Sequence, residues 1–220
     1  MMRKMYFLMG ALILLSACST ASPRDAMNSD VDQAAAIIER FEAIPEKGIP
    51  PAVMKAARGL AIITVTKAGF IGSARGGSGV VVSRVQNGWS GPSAIGVGGL
   101  GAGFQAGVEV TEFVIVLNTP AAVEAFAKGG NVTLGGNLSA AAGPVGRSAE
   151  GSVALQSAMY SYSRTQGLFA GVSLEGTVIS TRDDLNEAYY GRRVTPQDIL
   201  AGKIRPPADA RRLLDVLAKY

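Results

Sequence analysis

Residues 60–66 read LAIITVT, residues 79–85 read GVVVSRV and residues 108–118 read VEVTEFVIVLN. The first two are β-branched runs bounded by glycines and polar residues, the composition of strands. The third alternates and then becomes continuously apolar, which marks a strand whose far end is buried on both faces. Further strands are expected within Gly130–Ala142, Ser152–Ser163 and Leu168–Ser180. Strands gathered in the middle of the chain, rather than alternating with helices, predict an α+β fold with a mostly antiparallel sheet. The many glycines in those strands point to curvature, bulges or close backbone approach, as in a barrel or a bent sandwich.

Helices flank this centre. Val31, Ala34, Ala35, Ile38 and Phe41 recur at helical spacing after Asp30, a candidate N-cap, and Pro45 and Gly48 end the pattern. Pro50-Pro51 opens a second short helix before Gly59. Thr119-Pro120 and Thr195-Pro196 each place a capping hydroxyl before a proline at the first helical position, with Gly129 and Gly202 as stops. Asp183-Asp184 suits another helix start, and Pro206 or Pro207 opens a last helix with Ala210, Leu213, Leu214 and Leu217 on one face.

The N-terminal residues 1–18, MMRKMYFLMGALILLSAC, have the layout of a secretory signal: Arg3 and Lys4, an apolar run from Met5 to Leu15, then small residues. The run is too short for a permanent membrane span. Leu15-Ser16-Ala17-Cys18 resembles a bacterial lipobox, and that resemblance implies a lipidated Cys18 as the mature N-terminus. Two or more acyl chains anchor a protein stably where one does so marginally. The expected organisation is a signal peptide over 1–17, a flexible tether over 18–29 and one domain over 30–220. Ser19 after the cysteine makes the periplasmic face of the outer membrane the expected location.

Composition closes most catalytic routes. There is no histidine, and Cys18 is the lone cysteine. A Ser-His-Asp triad, a cysteine-based zinc site and a cysteine nucleophile in the fold are therefore excluded. Removing Arg3 and Lys4 with the signal reduces the net charge from +4 to +2, too mild for a nucleic-acid binder. Between Glu46 and Glu109 no acidic residue occurs, while Lys47, Lys55, Arg58, Lys67, Arg75 and Arg84 all fall inside. Those cations either form a positive face for an anionic partner or scatter over a balanced surface.

Individual motifs are weaker. Gly96 to Gly101 fits GxGxxG, but a strand-like segment follows instead of the helix a dinucleotide needs, so the match is rejected. Gly69–Gly79 is a glycine-rich loop carrying Arg75, open to reading as an anion cradle or a plain hairpin. Trp89 stands in the turn-rich Asn87-Gly88-Trp89-Ser90-Gly91-Pro92, either at a membrane interface or pinning the turn to the core. Glu109 and Glu112 lie three apart on a strand and point to opposite faces. No catalytic or metal site and no cofactor is expected.

In order along the chain, Lys67-Ala68-Gly69-Phe70, Gly88-Trp89-Ser90-Gly91-Pro92, Leu134-Gly135-Gly136 and Gly143-Pro144-Val145-Gly146 resemble the SYLF domain family. Tyr160-Ser161-Tyr162-Ser163 resembles it most specifically, together with Gly167-Leu168-Phe169-Ala170-Gly171-Val172-Ser173-Leu174-Glu175-Gly176. Asn186 and Tyr189-Tyr190-Gly191 complete the pattern, which covers about residues 30–218. The resemblance implies a non-enzymatic lipid-binding module: eukaryotic members bind phosphoinositides, some yeast members bind actin, and bacterial members are exported proteins or lipoproteins. Carried to this chain, it implies that Lys67, Arg75 and Arg84 hold an anionic lipid headgroup, with Phe70 and Trp89 touching acyl chains. The first helix bears Asp30, Asp32, Glu39 and Glu42 against Arg40, a face unsuited to an anionic bilayer, so it is expected to pack on the domain. The alternative is an envelope protein that docks a protein partner through its glycine-rich sheet.

Overall fold

In the computed structural model the described residues are 21–44, 48–69, 72–102, 107–128, 132–133, 140–142, 157–166 and 177–220. Long strands β1 (Gly59–Gly69), β2 (Gly72–Val85), β4 (Ser93–Ala102) and β5 (Gly107–Leu117) form the centre of one sheet. Shorter β6 (Val132–Thr133), β7 (Ala140–Ala142), β8 (Met159–Gln166) and β9 (Val178–Thr181) extend it in the order β6-β9-β4-β2-β1-β5-β8-β7. The two-residue β3 (Gly88–Trp89) hairpins onto the end of β2. Every pairing is antiparallel except β7 with β8. Among the described residues β6 and β7 do not meet, so this α+β sheet is open and not closed into a barrel. The segment Gly69–Gly79, read as a loop, is mostly strand, because β1 and β2 remain paired out to Gly69 opposite Ser73. Gly96–Gly101 also lies inside a strand, β4.

Helix α1 (Pro23–Glu42) starts seven residues before Asp30. The cap is Ser22, whose hydroxyl oxygen accepts from the Asp25 amide at 3.2 Å, with Pro23 at the first helical position. Residues 23–29 are thus helix and not tether: Met27, on the same face as Val31 and Ala34, is buried in the core. The short α2 (Pro51–Ala56) follows. The hydroxyl of Thr119 caps α3 (Pro120–Ala127), and that of Thr195 caps α5 (Pro196–Leu200), as the cap–proline pairs predict. Between them α4 (Asp183–Tyr190) ends on Gly191 at φ +67, a left-handed position that glycine takes without strain. A single turn at Ala208–Ala210 leads into α6 (Arg211–Leu217).

Alternation along the strands sorts the core into two layers. Leu60, Ile62, Val80, Val82, Val114 and Val116 face α1, α2, α4 and α6. Ala61, Ile63, Val81, Phe113, Ile115 and Leu117 face α3 and α5. The middle of β1 and β5 is therefore buried on both sides, which is why LAII and FVIVL are unbroken apolar runs.

The first and last described helical segments close on each other. Arg24 pairs with Asp209 at 2.9 Å, Glu39 with Arg212 at 2.9 Å and Glu42 with Lys219 at 2.8 Å, while the Tyr220 hydroxyl donates to Glu42 at 2.7 Å. The acidic face of α1 meets the basic residues of the C-terminal helix, as its packing on the domain requires.

Candidate functional site

A polar row crosses the sheet on the α1 side. Strand register aligns Ser180, Gly96, Ser78, Thr64, Glu112 and Arg164 on six neighbouring strands. Helix α1 lies along this row. The Ser78 hydroxyl donates to Asp30 at 2.7 Å, and the Thr64 hydroxyl donates to the Gln33 side-chain carbonyl at 3.2 Å. Arg40 grips Glu112 through Nε at 3.1 Å and Nη2 at 2.6 Å, with Arg164 Nη1 at 3.8 Å on the other side. Asp30 is buried, and desolvation raises its pKa above the usual carboxylate range against the opposing pull of the Ser78 hydroxyl and Arg182.

Beyond that row no helix among the described residues covers the sheet. The next row holds Gly98, Gly76, Thr66 and Val110, and the one after it Ala74, Ala68 and Val108. Val108 is 66% exposed and Val110 36%, and a methyl group on Gly76 or Gly98 would meet nothing within 4 Å. This is an uncovered, weakly apolar surface of small side chains.

The reverse face of the same end carries charge. Register sets Arg75 directly opposite Lys67, and Lys67 directly opposite Glu109. Side chains so opposed have Cβ atoms roughly 5 Å apart. Arg75 donates from Nη1 to the hydroxyl of fully buried Thr177 at 3.4 Å, and buried Glu109 accepts from the Thr111 hydroxyl at 3.5 Å. The acid-free stretch thus acquires a carboxylate in space that it lacks in sequence, and the row carries two cations against one anion. Glu112, on the opposite face with Arg40, confirms the divergence expected for the two glutamates.

Arg84 does not join this cluster. It lies nine residues further along β2, roughly 30 Å away, and on the other face. Its guanidinium sits 4.1 Å from the Trp89 ring centre and donates to the Met54 carbonyl at 3.1 Å and the Ala57 carbonyl at 3.5 Å. Trp89 is buried, and its indole N–H donates to the Leu217 carbonyl at 2.9 Å. It pins the β2–β3 turn to the core, one of the two readings its sequence setting leaves open. Phe70 and Cys18 lie outside the described residues.

Sequence reasoning missed Glu109, Val108 and Val110. Their signal was an inverted alternation: in Val108-Glu109-Val110-Thr111 the valines are exposed and the polar residues are buried. Among the described residues no cluster of acidic side chains, cysteine or histidine could hold a metal, and no helix is long and apolar enough to cross a membrane.

Exposed rows at one end of an open sheet describe a domain whose contacts are made on a surface. Residues 98–220 match the Ysc84 family, described as Las17-binding protein actin regulator. The chain is 50% identical over 202 residues to SH3 domain-containing YSC84-like protein 1 of Bos taurus and of Homo sapiens, covering 88% of this chain and 59% of each relative. It is 51% identical over 174 residues to LAS seventeen-binding protein 3 of Saccharomyces cerevisiae, covering 77% of this chain and 38% of that protein. The chain belongs to the Ysc84 family, the SYLF family of the sequence motifs. It spans about three-fifths of the length of the animal relatives. The family description and the yeast relative's name both speak of binding.

Proposed function

We propose that this domain is a non-enzymatic binding module of the bacterial cell envelope. In this reading it is exported, held at the periplasmic face of the outer membrane by acyl chains on Cys18, and meets anionic lipid headgroups through the glycine-rich end of its sheet. The observation that carries the reading is the direct opposition of Lys67 and Arg75 at the end where Val108 and Val110 are exposed on the other face. Glu109 offsets part of that charge, so the contact is weak. Tethering makes a weak contact sufficient, because an anchored domain meets its membrane at high effective concentration.

The test is co-sedimentation with vesicles. Binding to vesicles containing anionic lipid, absent from purely zwitterionic ones and weakened by salt, is the expected result. Each basic residue near an anionic surface contributes about 1 kcal/mol, so the Lys67→Glu/Arg75→Glu double variant should bind at least about tenfold more weakly. Binding indifferent to lipid charge overturns the reading.

The family description favours a second reading, in which the same end docks a protein. A partner recovered without lipid and lost on Val108→Asp would establish it, since an aspartate there leaves Lys67 and Arg75 in place.

A further inference from the structure

At the opposite, helix-covered rim, two arginines face each other. The Arg84 amide donates to the Arg58 carbonyl at 2.8 Å, and the adjoining register of Gly59 with Ser83 makes the two residues cross-strand neighbours. Like charges directly opposed across strands are destabilising. Burial lowers the Arg84 pKa, and the nearby Arg58 charge lowers it further. Among the described residues no carboxylate forms a salt bridge with either guanidinium; Glu124, which lines the same cavity, pairs with Lys128 at 3.0 Å.

Both arginines line a cavity of about 490 Å³ between α3 and α5. Its walls include Pro120, Val123, Ala127 and Leu200, with Gln197 as a neutral polar group and Glu124 as a carboxylate. The volume falls in the range of small-molecule sites, which join apolar walls to a few orienting polar groups. The lining thus carries two opposed cations against the single carboxylate of Glu124, itself held by Lys128; an anion here would offset the excess positive charge, and an apolar tail would cover the walls.

We propose that this cavity binds a small amphiphilic anion, a carboxylate or phosphate monoester bearing a short apolar tail, with Arg58 and Arg84 at the head and the α3–α5 walls around the tail. The site is remote from Lys67 and Arg75 and does not depend on membrane contact. Its occupant is either lipid-derived or a soluble metabolite of the same chemistry.

Trp89 is the only tryptophan and lies beneath Arg84, so its emission reports on the site. The experiment titrates the purified protein with decyl phosphate below its micelle concentration, with methyl phosphate, inorganic phosphate and decanol as companions, following emission and calorimetry. Saturable one-to-one binding of decyl phosphate is expected, with decanol and inorganic phosphate at least about tenfold weaker. Tight methyl phosphate binding identifies a soluble source, and preference for the decyl ester a lipid-derived one. Arg58→Gln, at an exposed position, should weaken the anion about tenfold or more without lowering the unfolding temperature. Arg84→Lys, which keeps the charge, should retain more affinity than Arg84→Gln. No saturable binding, inorganic phosphate binding as tightly as the esters, or an unaffected Arg58→Gln overturns the proposal. Arg58→Gln should still co-sediment with anionic vesicles, so loss of either binding mode is read separately from the other.

Discussion

Strands β1, β2 and β5 each run through two different environments. At one end Leu60, Ile62, Val80, Val82, Val114 and Val116 are sealed beneath helices, all at 1% exposure or less. At the other end the same strands present Thr66, Ala68, Ala74, Gly76, Val108 and Val110 on the same face, with no helix above them among the described residues. Hydrogen bonding is continuous across the division, so backbone pairing does not separate the ends. What separates them is the line of α1 along Ser78, Thr64 and Glu112. Sheet formation and core formation are distinct requirements here, and the second is met on only part of what the first builds. Val108 and Val110 in the other part stay exposed.

The largest test of this division is truncation at matched positions on one face. Ile62→Ala removes a fully buried side chain and should cost about 2–5 kcal/mol, whereas Val108→Thr should stay within about 0.5 kcal/mol. Urea unfolding midpoints measure both, and equal losses would break the comparison. Next come two adjacent glycines of β2. A methyl on Gly77 would strike the Thr64 carbonyl and lie 3.0 Å from the Val65 Cα, while on Gly76 it meets open space. Gly77→Ala should cost about 1–3 kcal/mol. Gly76→Ala, whose φ is not left-handed, should stabilise by about 0.4–1 kcal/mol through the unfolded chain.

The smallest effect concerns the boundary itself. Asp30 has a folded pKa above its unfolded one, so the native state holds the proton more tightly and its ionisation at higher pH costs stability. Stability therefore rises as pH falls through the window just above the ordinary aspartate range. Asp30→Asn keeps an acceptor for Ser78 and abolishes this dependence. It should match or exceed the wild type at pH 7, with the advantage shrinking on acidification; unfolding at a series of pH values would show the two curves converging.

The fold was largely legible because its signals are local. Unbroken LAII and FVIVL reveal burial on both faces, and threonine followed by proline marks two helix starts. The same signature at Ser22-Pro23 was overlooked in favour of Asp30, whose role is a buried contact with Ser78 and not a cap. The candidate site was legible only in part. The pairing of Lys67 with Arg75 follows from a hairpin between adjacent strands, a short-range geometry. Opposing Glu109 requires the partner strand β5 and its register, which no local pattern specifies. The choice between the two readings of Trp89 is not local either, because its anchor, the Leu217 carbonyl, lies 128 residues away.

The joining of α1 to the C-terminus also sets an order of events during synthesis. The helix leaves the ribosome well before its partners Asp209, Arg212, Lys219 and Tyr220, which lie 173 to 185 residues beyond the side chains they meet. Until those residues emerge, α1 has no ionic partners at that end and the helical layer is incomplete. Contacts of such sequence separation make loop closure a late and slow step. Strands β1 and β2 pair as neighbours in sequence, but the helical layer over the sheet is complete only when the segment from Asp209 to Tyr220 is in place.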